Sequence, residues 1–116
     1  MIIAMPLNAA KEDPILNELV GRIVRVSDPD RVILFGSRAR GEFRPDSDYD
    51  FLVVKNVVEG SRRALRREIY HALYGMGVAK DVLLTTPEDL RRYGHFHGTI
   101  LRPALAEGIT VYERTA

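Results

Sequence analysis

Three aspartates and a glycine-serine pair carry the chemistry this sequence is able to do. Asp48 and Asp50 stand two residues apart in "DSDYDFLVV", and Gly36-Ser37, at the end of "RVILF", is separated from Asp48 by ten residues. If the second apolar run is a strand, its side chains alternate between faces. Asp48 and Asp50 then point the same way with Cα atoms roughly 6 to 7 Å apart, and Tyr49 and Phe51 point the other way. Two like charges so placed repel unless a cation lies between them. Paired carboxylate oxygens suit Mg²⁺, an ion that takes one or two carboxylates and then the phosphates of a substrate, so the metal implies a nucleotide. Gly36 lets the backbone approach a phosphate, the Ser37 hydroxyl can hydrogen-bond one, and "SRAR" can begin a short helix whose free amides attract anions. Arg38 and Arg40 would add positive charge there. Asp81 opens a further apolar run, "KDVLLTT", much as Asp48 opens its own. Adjacent in a sheet, it would reach the same site and take the proton from an attacking hydroxyl in an in-line phosphoryl or nucleotidyl transfer.

Positioning these groups takes several elements. Asp13 followed by Pro14 reads as a helix start, with Ile15, Leu16, Leu19, Ile23 and Val26 at helical spacing and an end near "SDPD". "RVILF" reads as a buried strand cut by Gly36, "GEFRP" as loop, and "DYDFLVV" as a strand whose second half is apolar on both faces. From Ser61 the pattern turns helical, Leu65, Ile69, Ala72 and Leu73 on one face and Arg62, Arg63, Arg66 and Arg67 on the other, until "GMG" ends it. "KDVLLTT" is a third strand. Pro87 with Glu88 and Asp89 opens a last helical region that Gly108 closes, and "ITVYE" is extended. The order is α, β, short helix, β, α, β, α and a terminal strand, which predicts an α/β (α+β) sandwich of helices on a small mixed sheet.

Composition sets the limits. A length of 116 residues supports one domain, 1–116, with one hydrophobic core. Seventeen basic residues against sixteen acidic give a formal net charge of +1, too balanced for whole-molecule attraction to a polyanion, so direct nucleic-acid binding is not expected and any anion site is local. The absence of cysteine closes the disulfide, thiolate-metal and cysteine-nucleophile readings. "MIIAMPL" is too short for a signal core, and no apolar run approaches a membrane span; the expectation is a soluble, cytoplasmic chain with no membrane partner.

Gly36-Ser37, ten residues, Asp48-x-Asp50 resembles the GS, ten residues, DxD signature of the DNA polymerase β-like nucleotidyltransferase superfamily. The extended form "GSRARGEFRPDSDYDFLVV" is similar to its minimal nucleotidyltransferase (MNT) branch. The resemblance covers nearly the whole chain, including the leading helix, the basic helix, the strand with the third aspartate and the closing "LAEGITVYE". It implies transfer of a nucleoside monophosphate from an NTP, with two Mg²⁺ ions held by three carboxylates. Gly36 and Ser37 would hold the triphosphate and Asp48 and Asp50 the metals, while Asp81 would complete the metal site or act as base. MNT domains are commonly antitoxins paired with a HEPN-domain ribonuclease toxin, and family members transfer AMP from ATP to a tyrosine of that toxin. The chain has no evident second domain for a small-molecule acceptor, and a partner protein fills that gap.

Plainer readings compete with each assignment. Strand-end aspartates are often just solvated, and Arg38, Arg40 and Arg44 can be loop charges. Arg66 and His71 mimic the RxxxxH pattern of HEPN ribonucleases, but those domains are all-helical and this chain has strands. His95 and His97 read as surface histidines, and Tyr70, Tyr74, Tyr93 and Tyr112 as amphipathic groups at the core edge. At the level of function the alternatives are an antitoxin or binding module that neutralises its partner by complex formation alone, and a transferase for a small acceptor.

Overall fold

The computed structural model describes residues 13–115; the apolar start "MIIAMPL" lies outside them. Its elements follow the reading closely. Helix α1 spans Pro14–Ser27, strand β1 Arg31–Phe35, the one-turn helix α2 Ser37–Arg40, and strand β2 Tyr49–Val54. After a 3₁₀ turn, Glu59–Ser61, come α3 (Arg62–Ala72), β3 (Lys80–Thr85), α4 (Pro87–Tyr93), α5 (Leu101–Glu107) and β4 (Ile109–Glu113). Asp48 stands one residue before β2 rather than inside it.

Each boundary has a local cause. The Asp13 carboxylate accepts from the Leu16 amide at 2.9 Å, and Pro14 takes the first helical position, where its missing N–H costs nothing. Thr86 caps α4 in the same way, accepting from the Asp89 amide at 3.1 Å. The last helical region departs from expectation: instead of one helix from Pro87 to Gly108, there are two, separated by residues 94–100. Gly94 is the reason, because α4 ends on it and a Cβ there would stand 2.6 Å from Leu105 Cδ1 of α5. Pro103 falls in the first turn of α5, where an amide hydrogen has no intrahelical partner to lose.

The four strands lie in the order β3-β2-β1-β4, with β2 and β3 parallel and the other neighbours antiparallel. Alternation along the strands divides the core in two. Tyr49, Phe51 and Val53 face α1 and α3, packing with Leu19, Val20, Ile23, Ile69 and Leu73. Leu52 and Val54 face the other way, with Ile33, Phe35 and Ala104 of α5. Strand β2 is thus buried on both faces, which is why its second half is apolar without alternation. The α/β sandwich with a mixed sheet stands as read. No described helix is long and apolar enough to cross a membrane.

Candidate active site

Asp50 occupies the turning point of the architecture. In register it faces Phe35 across β1 and Asp81 across β3, so the last residue of β1, the second of β2 and the second of β3 form one row across the sheet. Gly36 follows Phe35 at once. Its backbone adopts φ 75°, ψ −158°, and a Cβ there would collide with Oδ2 of Asp50 and lie 3.2 Å from its Cγ. Only glycine meets both demands, the positive φ and the carboxylate lying against its Cα. Ser37 then opens α2, and the Gly36 carbonyl accepts from the Ala39 and Arg40 amides.

The row concentrates negative charge. Burial first, then the charges of Asp48 and Asp81, push the Asp50 carboxyl above its ordinary range, and Arg40 offsets only part of this. The charges of the other two aspartates chosen from the sequence are thus both felt at Asp50. Even so, no three His, Cys, Asp or Glu side chains among the described residues stand close enough to form a ready cage for a metal ion. The donor set still fits Mg²⁺ in kind. All its donors are carboxylate oxygens, their repulsion is the sort a cation relieves, and Mg²⁺ keeps several waters and takes one or two carboxylates plus substrate phosphates instead of a complete protein cage.

The two arginines differ in what they do. Arg38 was expected at a phosphate, but its guanidinium is enclosed, with only 8% of the side chain exposed. Its Nε donates to the Ser47 carbonyl at 3.1 Å, and Nη2 donates to the Arg44 and Pro45 carbonyls at 3.3 and 3.1 Å. It stacks 3.9 Å from the Tyr49 ring centroid and 4.7 Å from that of Phe43. Carbonyls take up its Nε and Nη2 donors and rings its flat faces, so Arg38 folds the connection between Ser37 and Asp48 around itself. Arg40 lies at the surface, pairing with Glu42 at 3.0 Å and with Glu107 of α5 at 3.2 Å.

The sequence reading missed how this loop is anchored and what touches Asp81. The Tyr49 hydroxyl donates to Asp13 Oδ2 at 2.8 Å, and Arg38 Nη1 lies 3.9 Å from the same oxygen, so the capping residue of α1 also holds the start of β2. No spacing in the sequence announces this, because Arg38, Phe43 and Tyr49 come together only when the loop closes. Asp81 accepts a hydrogen bond from Tyr70 of α3 and lies beside Arg66. These two residues are one turn apart on α3.

A glycine turn at the end of β1 thus lies against the Asp50 carboxylate, with one further aspartate just before β2 and another on the neighbouring strand β3. The family follows from comparison: residues 15–109 match the model of the nucleotidyltransferase domain, and the chain belongs to that family. Among solved structures, a candidate nucleotidyltransferase from Sulfolobus solfataricus, known at 1.40 Å resolution, superposes with a TM-score of 0.60. Its sequence identity is 19%, over 87% of this chain and 79% of that one. A toxin-antitoxin crystal structure with AMP-PNP superposes with a TM-score of 0.51 at 18% identity, over 84% of this chain and 73% of the matched one. Both likenesses speak for the fold. Comparison with curated proteins gives no match.

Proposed function

We propose that this protein transfers AMP from ATP to a hydroxyl of a partner protein. In this reading it is an antitoxin that silences a HEPN-domain ribonuclease toxin by adenylylating one of its tyrosines. The observation that carries the proposal is the Gly36 turn at the end of the row Phe35, Asp50, Asp81: backbone able to approach a phosphate adjoins the Asp50 carboxylate, which feels the charges of both Asp48 and Asp81. Gly36 and Ser37 hold the triphosphate. Asp48 and Asp50 hold two Mg²⁺ ions, and Asp81 either completes that set or takes the acceptor proton. Bound Mg²⁺ supplies charge neutralisation of the phosphates and polarisation of the attacked phosphorus.

In-line displacement fixes the direction of approach. Pyrophosphate leaves on the Gly36-Ser37 side, at the end of β1, so the attacking hydroxyl comes from the opposite side, toward β3. A groove of about 600 Å³ lies there, floored by Leu52 and Leu83, each two residues beyond an aspartate of the row and on the same face. Arg63, Tyr93 and Ile100 line it as well. It is open enough to admit a segment of a protein acceptor.

A second reading, neutralisation by complex formation alone, draws on the lack of a ready three-carboxylate cage among the described residues. One experiment separates the two: label transfer from α-labelled ATP with Mg²⁺, with and without the partner protein, beside Asp48→Asn and Asp50→Asn chains. Label on the partner that disappears in both variants supports transfer. Tight complex formation with no label selects the binding module.

A further inference from the structure

The scheme above assigns no part to Tyr70 and Arg66, yet both reach Asp81. Strand β3 is an edge of the sheet, and α3 passes beside it. Arg66 Nε donates to the Val82 carbonyl at 2.8 Å, and the Val82 amide donates to the Tyr70 hydroxyl oxygen at 2.8 Å. The Tyr70 hydroxyl in turn donates to Asp81 Oδ1 at 3.0 Å. Arg66 Nη2 lies 3.4 Å from the Tyr70 oxygen and 3.8 Å from Asp81 Oδ1, and the guanidinium stands 4.9 Å over the Tyr70 ring.

A phenol has one hydrogen to give and two lone pairs to receive. Tyr70 uses all three, receiving from Val82 and Arg66 and giving to Asp81. With both lone pairs engaged, its oxygen is no nucleophile in this arrangement, and the contact is not that of an internal acceptor. What it does is restrain a carboxylate. The Asp81 side chain is 52% exposed at a sheet edge and would otherwise rotate freely. Among the described residues, its Oδ2 receives no hydrogen bond.

We propose that Tyr70, backed by Arg66, is a positioning residue: it fixes Oδ1 of Asp81 against the edge of β3 and so presents Oδ2 to the reaction site. The proposal rests on the nucleotidyltransferase reading of that site. Groups that orient a ligand or base from behind typically matter by about 10- to 100-fold, and that is the loss expected in the transfer rate of Tyr70→Phe, with KM for ATP within about twofold.

The test is a double-mutant cycle of Tyr70→Phe with Asp81→Asn, read in two ways. One is the transfer rate. The other is Mn²⁺ affinity in the presence of a non-hydrolysable ATP analogue, followed by electron paramagnetic resonance of the free ion. If Tyr70 acts through Asp81, its replacement costs nothing further in the Asp81→Asn chain, for whichever quantity Asp81 controls. Lost hydrogen bonding at Val82 lowers Tm equally in both backgrounds, so all measurements are made well below the melting range. A Tyr70→Phe chain that matches the native in both quantities, or losses that multiply in the double variant, overturns the proposal. If Asp81→Asn changes neither quantity, the reading of the site fails, and the positioning role falls with it.

Discussion

The Asp50 carboxylate is held where its charge is least welcome. Burial and the charges of Asp48 and Asp81 raise its pKa, so its ionised form subtracts from stability once the pH exceeds the raised value. Replacement by Asn removes that penalty: in metal-free buffer at neutral pH the variant is expected to melt above the native chain, though its transfer activity falls to background. The gain disappears as pH falls through the raised value, below which the native carboxyl is itself neutral; an Asp50→Asn chain no more stable than the native at pH 7 would falsify this account. Tyr49 gives the second titration. Burial, then the hydrogen bond to Asp13 and that carboxylate's charge, push its phenol up to about 12. A raised pKa means stability that is whole below about pH 10, the unfolded value, and lost as pH climbs through the folded one. Unfolding followed in this interval is expected to lose its steep alkaline component in Tyr49→Phe, and phenolate absorbance shows whether Tyr49 ionises only as the chain opens. At this scale the sequence disclosed the identity of the motif residues but not the posture of Arg38, because its partners are backbone carbonyls and rings that meet only once the loop has closed.

Elements were legible where punctuation was strong. Strand β1 is cut by Gly36, β3 runs into the Thr86 cap, Gly108 precedes β4, and Asp13-Pro14 announced α1. The region from Pro87 to Gly108 was harder, since Gly94, Gly98 and Pro103 fit either one interrupted helix or two short ones, and tertiary contact decided it. Gly94 lets α5 lie close to the end of α4; Gly108 does the same between α5 and β1, where a Cβ would collide with the Ala104 carbonyl and with Ile33 Cγ2. Gly108→Ala therefore overpacks a seam made partly of backbone, which cannot move aside as a side chain can. The expected cost is about 1 to 3 kcal/mol, measured by urea unfolding. Because Arg40 of α2 pairs with Glu107 at the end of α5, the same substitution is expected to disturb the phosphate-side turn and raise KM for ATP. A stability loss without any change in KM would mean that α5 and the turn are not coupled through this pair.

Across the whole molecule the strand order lays out the proposed reaction from β1 to β3, with phosphates, carboxylates and acceptor groove in sequence. Ile100, 52% exposed, lines that groove and is not part of the aspartate row. Ile100→Asp is therefore expected to lower transfer to the partner protein by at least about tenfold, equivalent to roughly 1.4 kcal/mol of acceptor binding, and to leave ATP affinity within about twofold. Equal loss of both would place the groove on the nucleotide side instead. One further consequence follows from the sheet. Strand β2 has a neighbour on each side and β3 has a strand on only one, so the two halves of the site belong to segments of unequal persistence. Amide exchange at Phe51 should require global unfolding, whereas around Asp81 it should proceed by smaller openings, faster still once the side chains of Tyr70 and Arg66 no longer hold Val82. The carboxylates nearest the phosphates would then be permanent features of the folded chain, and the one facing the acceptor would be in place for only part of the time, a fraction that a docking partner could increase.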